Sequence, residues 1–241
     1  MKHLFVVTYG RSGSTVLLNL LNAVDGYCIR GENLSLLKHL SVAVSQTRKV
    51  VEEYTPYAPG PDHPWYGIDR ADTDGLARAL AEAFERFVLL PPDGARVVGF
   101  KEIRYNPEFL SEEQFDEVID FIMTAFDEPR IVFNLRSWKE LANSGWWAEW
   151  PRRKVRREIE TCDARFRRAH ARYPDRTFMI DHAQYDGKPE GLRHLLDWLG
   201  ETVDDTVMQE VSERRLGHLD KLREVGEAKK FWKRLVNSVR G

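Results

Sequence analysis

The sequence contains few cysteines. Only Cys28 and Cys162 occur among its 241 residues, and neither belongs to a C-x-x-C pair or to another spacing that is typical of metal ligands. Two isolated cysteines cannot form the disulfide framework of a small secreted protein. The sequence therefore predicts a reduced, cytoplasmic protein that is stabilised by a hydrophobic core.

Long hydrophobic runs and a large charge of either sign are also missing. A membrane-spanning helix needs about 18 or more consecutive apolar residues, whereas the first apolar run covers only residues 4–7 and is also too short for a signal peptide. With 36 basic and 38 acidic residues, the formal net charge is −2. We expect neither a membrane nor a nucleic acid as a partner, because no global positive field attracts them. An anionic ligand must be bound by local groups.

A third absence concerns nucleotide binding. The glycine-rich loop of ATPases, G-x-x-x-x-G-K-[ST], uses a lysine on the outer phosphates and a hydroxyl on magnesium. Here Gly10 is followed five positions later by Thr15, and the pair of Gly26 and Gly31 leads into Glu32, which would repel a phosphate. A nucleoside triphosphate is therefore not the first ligand that this sequence predicts.

A phosphate loop of another kind is nevertheless present near residue 10. The apolar run at residues 4–7 predicts a strand, which passes through a turn of small residues into an apolar helix from about Ser14. Small residues let backbone N–H groups and the helix N-terminus converge on an anion, while nearby side chains add donors. The predicted anion-binding residues are Arg11, Ser12, Gly13, Ser14 and Thr15. An ordinary turn with a polar helix cap is the alternative.

A second pattern, whose residues are able to bind a phosphate, lies more than a hundred residues further on. Residues 131–135 predict a buried strand, which ends at Arg136. A capping box of Ser137 and Glu140 is then expected to open a helix. Ser144 follows Arg136 by eight residues. A guanidinium can bind a phosphate through two parallel hydrogen bonds, and a hydroxyl from the next helix can donate a third. The alternative is that Arg136 is only a surface cation and that Ser144 has no role.

Both patterns resemble a known family. Residues 8–15, TYGRSGST, resemble the 5′-phosphosulfate loop of sulfotransferases that use 3′-phosphoadenosine 5′-phosphosulfate (PAPS), and Arg136 with Ser144 resembles the pair that holds the 3′-phosphate in that family. The resemblance covers about residues 4–200. It implies a P-loop-like fold and direct transfer of a sulfonate group to a hydroxyl or amine acceptor. PAPS would be the donor and 3′-phosphoadenosine 5′-phosphate (PAP) the product, with no metal.

The resemblance also implies catalytic residues at the same edge of the sheet. Glu32, in R-G-E-N after the second strand, is similar to the general base of the carbohydrate and tyrosylprotein branches, whereas the cytosolic branch uses a histidine. Lys101 ends the third predicted strand and, with Arg11, would offset the charge of the sulfonate or of the leaving oxygen. Arg104 competes with Lys101 for this role. A lysine that is merely paired with Glu102 or Glu32 is the other interpretation.

Alternating strand-like and helix-like segments predict an α/β fold with a mostly parallel sheet and helices on both faces. We expect one domain over residues 1–241, with an α/β core at 1–200 and a helical segment at 205–240 packed on it. Strands are expected at 4–7, 27–29, 96–101, 131–135 and 177–180. The other helices are expected at 34–53, 74–87, 111–126, 137–150, 152–173 and 189–199. Residues 54–69, rich in proline and aromatic residues, predict a long ordered loop that could fold over a sugar or aryl acceptor.

Two alternative functions and one group of residues complete the interpretation. A P-loop-like phosphotransferase using ATP and magnesium would have Asp181, at the end of the last strand, as its metal ligand, and a non-catalytic nucleotide-binding module would need no base.

Of the seven histidines, only His63 and His182 are expected near the loop edge, as ordinary loop residues. The implied acceptor is a small-molecule, carbohydrate or aryl hydroxyl.

Overall fold

The computed structural model describes residues 1–57 and 60–213. Within these ranges the chain forms a sheet of five strands, β1 (Lys2–Val7), β2 (Tyr27–Arg30), β3 (Val97–Glu102), β4 (Pro129–Leu135) and β5 (Thr177–Asp181). The strand order is β2-β3-β1-β4-β5, and all neighbours are parallel. The predicted fold class is confirmed.

Helices connect the strands, as parallel pairing requires. Their bounds are α1 (Ser14–Leu21), α2 (Leu36–Tyr54), α3 (Thr73–Phe84), α4 (Glu112–Ala125), α5 (Trp138–Leu141), α6 (Arg152–Arg172), α7 (His182–Tyr185), α8 (Pro189–Leu199) and α9 (Asp205–Glu213). Short 3₁₀ turns occur at Thr55–Tyr57, Ile68–Arg70, Gly145–Glu149 and Pro174–Arg176, and a π-helical turn at Glu85–Leu89 follows α3.

Alternate residues of the strands supply two hydrophobic cores, one on each face of the sheet. Phe5 and Val7 pack with the buried side chains of α2, α3, α4 and α6. Leu4 and Val6 pack with those of α1, α8 and α9 on the other face. Buried Met208 and Val211 attach α9 to the second core. The remainder of the helix expected at 205–240 lies outside the described residues, and the division into a core and a C-terminal segment stays a prediction.

Two local expectations were wrong. The helix expected at 137–150 is only the four-residue α5, followed by the 3₁₀ turn Gly145–Glu149. The capping box of Ser137 and Glu140 does not form, since Ser137 makes no capping hydrogen bond and the Glu140 carboxylate accepts from Arg136 instead. The segment expected to be a loop contains only bends and turns at residues 60–67, although Tyr54 still ends α2, and Trp65 stacks on Tyr54 with ring centroids 4.2 Å apart.

Ligands of open α/β folds bind at the carboxyl edge of the sheet. The strand order determines which of the segments that follow the strands are neighbours at this edge. The segment after the central strand β1 forms the glycine-rich loop. Residues that follow β2 and β3 lie on one side of it, and residues that follow β4 and β5 lie on the other.

Candidate active site

The loop between β1 and α1 offers an unusual number of free donors. The backbone N–H groups of residues 11–15 have no hydrogen-bond partner among the residues that the structure describes. Gly13 at the N-cap of α1 supplies no side-chain cap. The hydroxyls of Ser14 and Thr15 also form no hydrogen bond within the described ranges. Five consecutive N–H groups at the positive end of a helix are suited to a phosphate or sulfate group.

Residues of later elements hold this loop in place. Asn134, buried in β4, donates through Nδ2 to the Ser12 carbonyl at 3.0 Å and accepts at 2.9 Å from the hydroxyl of Tyr185. The Trp147 indole donates to the Gly10 carbonyl at 2.8 Å. Thr8 Oγ1 lies 2.7 Å from Ser12 Oγ. The Ser12 side chain, expected to contact the anion, is therefore turned into the protein, and only its backbone N–H remains available.

Two glycines let large rings approach the loop closely. Gly13 has a φ of 84°, and a Cβ there would overlap with the ring of His182 and contact the Tyr185 hydroxyl. A Cβ at Gly10 would overlap with the Trp146 indole. His182, interpreted from the sequence as an ordinary loop residue, thus packs directly on the loop. Burial, together with the positive charge of Arg136, lowers the pKa of His182 below its ordinary value.

The three residues Arg136, Arg11 and Ser144, expected around the nucleotide, are linked by hydrogen bonds. Arg136 Nη1 donates to the Arg11 carbonyl at 2.9 Å, while Arg11 Nε lies 3.4 Å from Ser144 Oγ. The Tyr9 hydroxyl lies 2.7 Å from the Arg136 backbone nitrogen and fixes the end of β4. Ser144 was expected on a helix, but it precedes the 3₁₀ turn in an extended conformation. The two motifs of the sequence nevertheless meet at one place.

On the other side of the loop lies Glu32. Its carboxylate accepts from Lys101 Nζ at 2.6 Å and from Arg104 Nη1 at 2.8 Å. Burial alone would raise the pKa of Glu32, but the hydrogen bonds and charges of Lys101 and Arg104 outweigh it, and the pKa lies below the ordinary value. The Glu32 side chain is 31% exposed and that of Lys101 9% exposed. The sequence-based alternative in which Lys101 pairs with Glu32 describes the contact that forms.

The sequence interpretation considered Glu102 only as a partner of Lys101 and missed its main contacts. Its carboxylate is fully buried and accepts from the backbone N–H groups of Asn33, Ser35, Ile103 and Arg104 at 2.9–3.1 Å. The Arg104 guanidinium approaches it at 3.4 Å. The available signal was a second charge directly after Lys101 at the end of an apolar strand. Asn134 had a similar signal, since it is the one polar residue in the run 131–135.

The structure also bears on the alternatives. Asp181, the metal ligand of the phosphotransferase interpretation, caps α7 through a reciprocal pair with Gln184. No group of three or more His, Cys, Asp or Glu side chains that could hold a metal ion occurs within residues 1–57 and 60–213. In the same ranges, no helix combines the length and hydropathy that crossing a membrane requires.

Comparisons with known proteins agree with this architecture. Among solved structures, the "Sulfotransferase Domain from the Curacin Biosynthetic Pathway" matches with a TM-score of 0.52 and 12% sequence identity, over 88% of this chain and 78% of that domain. No family model matches the chain, and no curated protein sequence matches it significantly. At 12% identity the structural match shows the fold alone: the chain has a sulfotransferase-like α/β fold.

Proposed function

We propose that this protein is a sulfotransferase that moves a sulfonate group from PAPS to a hydroxyl or amine acceptor. One observation carries the proposal: the loop, whose five N–H groups have no partner within residues 1–57 and 60–213, lies beside a chain of contacts from Arg136 through Arg11 to Ser144. This arrangement provides two anion sites next to each other. A nucleotide with phosphate groups on both its 3′ and 5′ positions requires two such sites, and the sulfotransferase-like fold supports the same choice.

The residues fit this donor in charge and in shape. The space that Cβ atoms at Gly10 and Gly13 would fill is taken by rings, so the loop presents backbone rather than side chains. The N–H groups of residues 11–15 would hold the 5′-phosphosulfate, and Arg136 with Ser144 would hold the 3′-phosphate. When bound, the donor supplies an activated sulfonate and a phosphate leaving group.

Proton transfer is assigned to Glu32. Because the pKa of Glu32 lies below its ordinary value, the carboxylate is ionised at neutral pH and can accept the proton of an acceptor hydroxyl. The same two cations that keep Glu32 ionised also weaken it as a base. Lys101 and Arg104 provide the positive charge at this edge that developing negative charge would require, together with Arg11. A glutamate base favours the branch of carbohydrate and tyrosylprotein sulfotransferases.

The acceptor is proposed by chemistry only. Glu32 and the partly exposed Arg104 lie at the open end of the β2–β3 side, where a hydroxyl of a small molecule, a carbohydrate or an aryl alcohol can approach. Comparing Lys101→Ala with Arg104→Ala would identify the cation that matters for turnover. The cation that matters is the one whose replacement lowers kcat more while the affinity for PAP stays unchanged.

The first experiment is calorimetric titration with PAP, with ADP and ATP as controls, each with and without magnesium. The proposal predicts a clear preference for PAP that does not depend on magnesium. A preference for ATP with magnesium would instead support the phosphotransferase alternative. Absence of PAP binding would contradict the proposal. Binding of PAP without sulfonate transfer in an acceptor screen would favour a non-catalytic nucleotide-binding module.

A further inference from the structure

The turn that follows Glu32 is held in a conformation that its own residues disfavour. Leu34 and Ser35 have φ values of 58° and 56°, in the left-handed region that side chains other than glycine avoid. Packing does not explain this conformation at Leu34, since that side chain is 73% exposed. Something outside the turn must hold residues 33–35, because backbone strain of this kind persists only when the surroundings impose it.

The Glu102 carboxylate is that external group. Its Oε2 accepts from the N–H groups on either side of Leu34, those of Asn33 at 3.0 Å and Ser35 at 2.9 Å. Ser35 Oγ lies 3.3 Å from the Arg104 carbonyl, and the Asn33 side chain accepts from the N–H of Leu36. The turn is thus fixed at one end to α2 and at the other to the residues that follow β3.

Glu102 also holds the cation that meets Glu32. Its Oε1 accepts from the N–H groups of Ile103 and Arg104, and the Arg104 guanidinium lies 3.4 Å away. Lys101 immediately precedes Glu102 in β3, and both cations contact Glu32. One buried carboxylate therefore connects the segment of the proposed base with the segment of its two cations.

We propose that Glu102 is a positioning residue: it imposes the left-handed turn at residues 33–35 and thereby places the Glu32 carboxylate against Lys101 and Arg104. It touches neither acceptor nor donor. The effect on turnover rests on the proposed function, whereas the effect on the turn does not. The two parts can therefore be tested separately.

The test compares Glu102→Gln with Glu112→Gln. Glutamine keeps the size of Glu102 but replaces one acceptor oxygen by an NH₂ group, which cannot accept from the turn. Glu112, the first residue of α4, is the control, because its more exposed carboxylate also binds two partners, Arg165 and Arg168 of α6, away from the turn. The first measurement is amide hydrogen exchange of residues 33–35, which requires no activity.

We expect exchange at residues 33–35 to accelerate at least about tenfold in Glu102→Gln, as lost hydrogen bonds to a charged acceptor imply, and to stay unchanged in Glu112→Gln. We expect kcat to fall about 100-fold, the effect of a displacement near 1 Å. The Kd of PAP should change by no more than about twofold, because its proposed site is separate.

A rescue experiment separates positioning from general stability. Leu34→Gly in the Glu102→Gln background should restore part of the lost kcat, because glycine adopts the left-handed conformation without strain. A merely structural role for Glu102 would not be corrected by a glycine in the turn. If Glu102→Gln fails to fold, Glu102→Asp keeps the buried charge but shortens its reach, and the same measurements apply.

The outcomes distinguish the two proposals. Unchanged exchange at residues 33–35 in a folded Glu102→Gln variant would overturn the positioning role, whatever PAP does. Faster exchange together with wild-type kcat would also overturn it, since the turn would then not control turnover. If exchange is faster in Glu102→Gln but the wild-type protein itself binds no PAP, the role of Glu102 in fixing the turn would be supported and the sulfotransferase proposal would be refuted.

Discussion

At the scale of single residues, the β2–β3 side of the edge contains opposite charges that balance. Glu32 and Glu102 carry two negative charges, and Lys101 and Arg104 carry two positive ones, all within hydrogen-bonding contact. Charged side chains can be largely buried here because each one has an oppositely charged partner, which takes the place of the water that burial removes. Removing one of the four charged side chains leaves a partner without its counter-charge. We therefore expect a single substitution here to destabilise the protein more than the substitution of a residue in an exposed ion pair.

Replacing Glu32 tests its assignment as the base. In Glu32→Gln we expect kcat to fall by about 10²- to 10⁴-fold, the range for loss of a general base, while PAP affinity is retained. Steady-state kinetics and calorimetry measure the two quantities. Glu113→Gln is a matched control, since Glu113 accepts from Lys49 at 2.6 Å on the surface. Equal kinetics of the Glu32 variant and wild type would contradict the assignment.

Replacing Arg136 tests the proposed 3′-phosphate site. Arg136→Ala removes hydrogen bonds to a charged group worth about 1.5–3 kcal/mol, so we expect PAP to bind about 10- to 150-fold more weakly. Arg136→Lys should not restore affinity, because an ammonium cannot form the paired hydrogen bonds. The control is Arg130→Ala, at the opposite end of the same strand, where the guanidinium donates to the Trp198 carbonyl. Calorimetry that shows equal losses for both arginines would refute the site.

Residue types and spacing predicted that Arg136, Ser144, Glu32 and Lys101 would reach one edge of the sheet, because parallel strands end together. They left open whether Lys101 pairs with Glu32 or with Glu102, and they did not predict the inward turn of Ser12 or the hydrogen bond from the Asn33 N–H to Glu102. These contacts depend on side-chain directions that come only from packing. Long-range contacts of this kind leave no periodic signal in a sequence.

At the scale of elements, the loop and α1 act as one unit. Asn134, Trp147 and Tyr185 hydrogen-bond to the carbonyl oxygens of the loop, while the N–H groups of residues 11–15 have no partner within the described ranges. The strands and long helices were predictable from apolar periodicity. The structure after β4 was not predictable in this way. Trp147 lies in a 3₁₀ turn instead of a regular helix and donates to the Gly10 carbonyl. Glu140 accepts a hydrogen bond from Arg136 instead of forming the expected capping box.

A glycine substitution tests this unit. Gly13→Ala imposes a left-handed alanine, costing about 1–2 kcal/mol, and also the overlap with His182. Gly67→Ala is the matched control, because Gly67 has a φ of 86° with open space around it. We expect chemical unfolding to show a larger loss of stability at Gly13. PAP affinity should fall at least about tenfold, or 1.4 kcal/mol, only there. Equal losses of stability would mean that the ring contact is unimportant.

At the scale of the whole molecule, the partly buried Asp163 gives stability a pH dependence. Burial raises the pKa of Asp163 to about 6, and its Oδ1 lies 3.1 Å from the Tyr9 hydroxyl. An unfolded aspartate has a pKa of about 3.9. Between these values the folded protein keeps a proton that the unfolded chain has lost, so this group makes stability fall as pH rises through that window.

Asp163→Asn should remove this contribution, because asparagine does not titrate. We expect the difference in unfolding free energy between variant and wild type to increase in favour of the variant from about pH 4 to 6 and then to level off. Urea unfolding at a series of pH values measures it. Asp74→Asn, at an exposed pair with Arg48, is the control. Parallel pH curves for wild type and Asp163→Asn would contradict the prediction.

The central position of β1 has a consequence for synthesis. Phe5 pairs with Phe100 on one side and with Ile131 on the other, and the loop after β1 is supported by residues as distant as Tyr185. At about 5–20 residues per second, a ribosome needs roughly 9–34 seconds to reach Tyr185 after making the loop. The loop after β1 is therefore synthesised first but receives its support from Tyr185 only after all five strands have been made.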